Sequence, residues 1–82
     1  MKDKIEKIKT REDLSRWILE LQKDFIKNSN SWENANLSSF LEGLSSWIED
    51  SDGYYLNVGK DVPEKPEWKN FAEALLAATM YE

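Results

Sequence analysis

Between Leu37 and Ile48 the apolar residues Leu37, Phe40, Leu41, Leu44, Trp47 and Ile48 fall at i, i+3, i+4, i+7, i+10 and i+11, the spacing of one face of a 3.6-residue helix. Ser38, Ser39, Glu42, Ser45, Ser46 and Glu49 occupy the positions that stay in water. A stripe this wide has to be covered, so the rest of the chain must supply surfaces that pack on it. Leu44 and Trp47 are expected at the centre of that core. Gly43 reads as a weak point in the helix, costing about 1 kcal/mol relative to Ala.

Two further helical patterns flank it. Thr10 is a good N-cap, Glu12 and Asp13 bring negative charge to the first turn, and Leu14, Trp17, Ile18, Leu21 and Phe25 follow at helical spacing. This predicts a first helix from about Arg11 to about Lys27. Residues 28–31, Asn-Ser-Asn-Ser, are turn material, and Asn34 or Asn36 caps the central helix. Ser51-Asp52-Gly53 reads as its stop. Pro66 fits the first position of a third helix in which Trp68, Phe71, Ala72, Leu75 and Ala78 repeat the stripe, reaching nearly to Glu82. Residues 54–66 are expected as an ordered aromatic loop, with a minimal hairpin pairing residues 54–57 with 60–63 as the alternative. The predicted fold is therefore all-α, a small three-helix bundle in which each helix buries its stripe against the other two. Trp17, Trp47 and Trp68 belong to its core or core edge.

With 82 residues the expectation is a single domain over residues 1–82, whose first nine residues are a partly ordered lead-in carrying only Ile5 and Ile8 as anchors. Four Trp, three Tyr and three Phe supply enough bulky apolar surface to fold without a staple. There is no Cys and no His. That removes disulfides, thiolate metal sites, the commonest general base and every Ser-His or Cys-His pair. No cofactor and no enzymatic activity are expected. The charged start lacks a signal-peptide pattern and no apolar run is long enough to span a bilayer, so a cytoplasmic monomer without membrane contact is the expectation.

The formal charge of −5 is unevenly placed. Residues 1–27 carry eight Lys or Arg against six acids, whereas between Asn28 and Gly59 there is no basic residue and there are five acids: Glu33, Glu42, Glu49, Asp50 and Asp52. Nucleic-acid binding needs a clustered basic surface that this chain lacks. The twelve residues from Asp50 to Asp61 place Asp where a calcium loop has its first two ligands, but Tyr55 stands where that loop requires Gly and Asp61 where it requires Glu. No metal is expected.

Trp32-Glu33-Asn34, Phe40-Leu41-Glu42 with Trp47, Gly53-Tyr54-Tyr55 with Asn57 and Gly59, the run from Pro63 to Trp68, and the terminus from Ala77-Ala78 to Glu82 together give residues 32–82 a pattern that resembles a family of small uncharacterised bacterial proteins, a domain of unknown function. The resemblance implies no activity, cofactor or catalytic residue.

On the residues themselves, the expected function is a non-enzymatic acidic protein-interaction module, an inhibitor or antidote of a basic partner being one form of it. Its contact surface is expected at Glu49, Asp50, Asp52, Tyr54, Tyr55 and Asn57, the tyrosines supplying affinity and the acids association rate. The alternatives are a small-molecule-binding helical domain and a structural subunit of an oligomer.

Overall fold

A computed structural model describes residues 2–61 and 65–81 of the chain. It contains a short 3-10 helix, Lys2–Lys7, followed by α1 (Arg11–Asn28), a 3-10 turn (Ser29–Ser31), α2 (Leu37–Asn57) and α3 (Trp68–Ala78). No strand occurs among the described residues, in keeping with an all-α fold.

The helix starts follow local chemistry. Thr10 Oγ1 accepts from the Asp13 N–H at 3.1 Å while Asp13 Oδ2 accepts from the Thr10 N–H at 3.3 Å, a reciprocal cap. Asn36 Oδ1 accepts from the Ser39 N–H at 2.9 Å and begins α2. At α3 the cap is Glu67, whose N–H donates to Asn70 Oδ1 at 2.7 Å. Pro66 thus precedes the cap and does not occupy the first helical position; this leaves the Glu67 N–H for Asn70.

α2 departs from the expected end. Ser51-Asp52-Gly53 does not stop it, and the helix runs on to Asn57, so Tyr54 and Tyr55 are helical and neither loop nor hairpin. Val62 and Pro63, from the other half of that hairpin, lie outside the described residues. The cause is packing: Tyr54 is seven residues beyond Trp47, on the same face, and its ring lies 5.6 Å from the indole. Gly53 keeps negative φ; Gly59 is the glycine with positive φ, at +74°. It closes the helix as a Schellman motif, the Lys60 N–H donating to the Tyr55 carbonyl at 2.8 Å and the Gly59 N–H to that of Leu56 at 3.2 Å.

The helices do not each pack on the other two. α3 is the hub, with α1 and the leading 3-10 helix on one side and α2 on the other, while α1 and α2 scarcely meet. Two small cores result. Ile5, Ile8, Leu14, Trp17, Leu21 and Ala72 form the first, and Trp47, Tyr55 and Ala74 form the second, with Leu44, Tyr54, Ala77 and Tyr81 packed against it. α3 meets both through alanines, which let two helices approach it closely. Trp32 packs against the first core and links α1 to α2: its ring lies edge-on to Phe25 at 5.0 Å and stacks towards Phe40 at 6.1 Å. Its indole N–H donates to Asp24 at 2.8 Å, and this bond, with one from Asn28, holds the Asp24 carboxyl below the usual carboxylate range.

Other expectations need correction. Leu44 is only partly buried, and Leu37, Leu41 and Ile48 are 72%, 52% and 56% exposed. Trp68 is exposed and not core. Gly43 is buried, and α2 there comes close to the end of α3. Asn34, which does not cap α2, sends its amide to the carbonyls of Ala78 and Tyr81 at 2.9 and 2.6 Å and its backbone N–H to that of Thr79. It thereby satisfies carbonyls left open where α3 ends.

Candidate functional site

The six residues singled out from the sequence do not form one surface. Glu49, Asp52 and Asn57 are exposed on α2. Asp50 accepts a hydrogen bond from the Tyr81 hydroxyl at 2.6 Å, which holds the chain end to α2 and pushes the Tyr81 hydroxyl up from its ordinary pKa. Tyr54 is half-buried and Tyr55 is 6% exposed, both turned onto Trp47 and away from solvent. The tyrosines are therefore scaffold, because continuing the helix through Gly53 places them on the face that meets α3. Nor does the Asp50 to Asp61 stretch wrap as an ion-binding loop, since its first eight residues are α-helix.

Concave places lie beside α2 where it meets its neighbours. The first is a polar cleft of about 400 Å³ where the end of α2 meets the start of α3. The Tyr55 hydroxyl donates to Glu73 at 3.1 Å and accepts from the Asn70 amide at 3.1 Å, and that amide also donates to Glu73 at 2.8 Å. Lys69 reaches Glu6 at 3.6 Å and Lys60 reaches it at 3.9 Å, joining the leading 3-10 helix to this corner. Burial, followed by the charge of Glu73, pushes the Tyr55 hydroxyl up to about 12. It remains protonated through the neutral range and serves here to orient Glu73 and Asn70.

The titration has a testable consequence. The Tyr55 hydroxyl ionises near its ordinary value of about 10 in the unfolded chain and near 12 in the folded one. Its contribution to stability is thus complete below pH about 10 and is lost as pH rises from there through the folded value. Urea denaturation at a series of pH values is expected to show this loss, with Tyr55→Phe flattening the alkaline limb relative to wild type. Parallel limbs in the two proteins would show that the hydroxyl is not held as described.

The second place is an apolar groove of about 220 Å³ between α2 and α3. Trp47, Tyr55 and Ala74 are its buried residues, and Ile48, Pro66 and Phe71 its exposed ones, Phe71 being 48% exposed. Sequence reading missed this groove by treating every apolar residue of α2 as covered. The available signal was the width of the stripe, which is more than one neighbouring helix can bury.

A small all-α protein built on a central α3, with an acidic helix exposing apolar residues, is the class these features define. The chain belongs to a family of unknown function (DUF7660), whose model matches residues 10–82. The match takes in α1 as well as the segment from Trp32 onward. Comparison with curated proteins and with solved structures finds no match.

Proposed function

We propose that this chain is a non-enzymatic protein-interaction module that engages a basic protein through the outer surface of α2. The observation that carries this reading is the composition of that surface. Leu41 and Ile48, seven residues apart, are 52% and 56% exposed, and Glu42 and Glu49 follow each of them directly. The sequence has no Lys or Arg between Asn28 and Gly59 to neutralise those acids. Exposed apolar residues flanked by charge of one sign suit a contact in which burial supplies affinity and the field speeds encounter. Inhibition of the basic partner is one form such a contact takes. A cavity of about 460 Å³ beside the leading 3-10 helix, lined in part by Trp47, Tyr54 and Met80, supports small-molecule binding as the second reading.

The test isolates a binder and follows its association rate against salt for wild type and for the triple variant Glu42→Gln, Glu49→Gln, Asp52→Asn. The wild-type rate is expected to fall as salt rises, and the variant to associate about tenfold more slowly at low salt with a flatter salt dependence. Asp50 is left intact because it anchors Tyr81. A rate that responds to neither change would leave these acids as solvated surface.

A further inference from the structure

α2 carries two adjacent rows rich in apolar residues, and the second is only partly covered within the chain. Phe40, Trp47 and Tyr54, seven residues apart, are buried or half-buried, and Trp47 and Tyr54 belong to the core against α3. Beside them Leu37, Leu41, Leu44, Ile48, Ser51 and Tyr55 follow at alternating steps of four and three, the spacing of a seam that packs knobs-into-holes on another helix. Leu44 and Tyr55 of this second row pack into the core against α3, whereas Leu37, Leu41 and Ile48 are exposed. α3 offers a matching row, Trp68, Phe71, Leu75 and Ala78, whose first two members are also exposed. Ile48 and Phe71 stand on facing sides of the apolar groove where the rows converge.

We infer that the occupant of this groove is a basic amphipathic α-helix of the partner, its apolar stripe seated on Ile48 and Phe71 and its lysines or arginines over Glu49 and Asp52. This rests on the reading of α2 as an interaction surface and specifies what binds there. A helix fits because the described residues expose no strand edge for an extended peptide to extend, and a three-four seam is complemented by another such seam. The charge follows from the rim. Asp52 lies four residues after Ile48 and Glu49 directly follows it, both exposed, while Lys69 of α3 is held by Glu6 and Glu67. A second copy of this chain is a poorer occupant, since a two-fold contact through α2 would set these acids against one another.

The experiment titrates the full chain with three synthetic peptides of about three heptads. The first has leucines at the seam positions and lysines beside them, the second has the same composition scrambled, and the third replaces the lysines with glutamates. Affinity is read by calorimetry and location by amide chemical shifts, and light scattering gives the mass. The first peptide is expected to bind and to shift the amides around Ile48 and Phe71. The scrambled and glutamate peptides are expected to bind at least about tenfold more weakly. Phe71→Ser and, separately, Ile48→Ser are expected to weaken the first peptide by a similar factor, with thermal unfolding showing that the variants are folded.

Equal binding of ordered and scrambled peptides, with shifts confined to the acids, would overturn the helix while leaving a basic partner in place. Failure of the first peptide while a protein binder retains its salt-dependent association would do the same. Failure of both would remove the interaction reading as well. A dimer that Phe71→Ser converts to monomer would identify a second copy as the occupant and overturn the inference.

Discussion

Replacing Trp47 with Ala is expected to destabilise the fold by about 3–5 kcal/mol, whereas Ile48→Ala, one residue further on, should stay within about 0.5 kcal/mol of wild type. Trp47 is 8% exposed and belongs to the core on the α2 side of α3, with Tyr54 and Tyr55 rings at 5.6 and 6.3 Å. Truncation leaves a cavity that those two tyrosines cannot fill, since each is fixed by its own place on α2 and Tyr55 also by Glu73 and Asn70. Ile48 is 56% exposed and faces the open groove. A domain of this size holds only about 5–15 kcal/mol in total, so the Trp47 variant should show a much lower denaturation midpoint and the Ile48 variant an unchanged one. Comparable losses at the two positions would mean that α2 is rotated about its axis from the position described.

That contrast marks where the sequence stopped being informative. What it made legible was local. The Thr10 cap, the turn at residues 28–31 and the Asn36 cap each depend on atoms within a few residues, so propensity and hydrogen-bonding chemistry locate them. The end of α2 was not legible because Ser51-Asp52-Gly53 is a good stop only in isolation; Trp47 and α3 reward continuing the stripe through Tyr54 and Tyr55, and that packing outweighs a preference of about 1 kcal/mol at Gly53. Stripe width misled for a related reason. A run such as Leu37 to Ile48 says that two rows are apolar, but which row is covered depends on where the alanines of α3 allow close approach. The acidic residues of the candidate surface could be read from the chain because charge is a property of composition. Taking the tyrosines off that surface required knowing that the segment is helix, and Phe71, on the far wall of the groove, is a tertiary neighbour that no local pattern links to Ile48.

Gly43→Ala should carry the opposite sign from its usual one. In the middle of an exposed helix the exchange gains about 1 kcal/mol, through lower backbone entropy in the unfolded chain. Here a Cβ would stand 2.7 Å from Asn34 Nδ2, 2.7 Å from the Tyr81 carbonyl oxygen and 2.9 Å from that of Ala78, well inside ordinary contact distance. Two of the three are backbone atoms at the end of α3, and the third is the amide that bonds both of them. Asn34 could swing aside only by giving up both of its bonds, and the two carbonyls are backbone, so α2 and α3 must separate. The expected cost is about 1–3 kcal/mol, and larger for Val. Gly53→Ala is the internal control: nothing lies within 4 Å of its Cβ position, and it should stabilise by about 0.5–1 kcal/mol. Denaturation of both variants, and of Gly43→Ala combined with Asn34→Ala, separates the causes. Removing the Asn34 amide leaves the two carbonyls in place, so the double variant should remain at least as unstable as Gly43→Ala alone. Recovery in the double variant would assign the strain to the amide, and a Gly43→Ala protein as stable as Gly53→Ala would show that the two helices do not approach as closely here as the geometry requires.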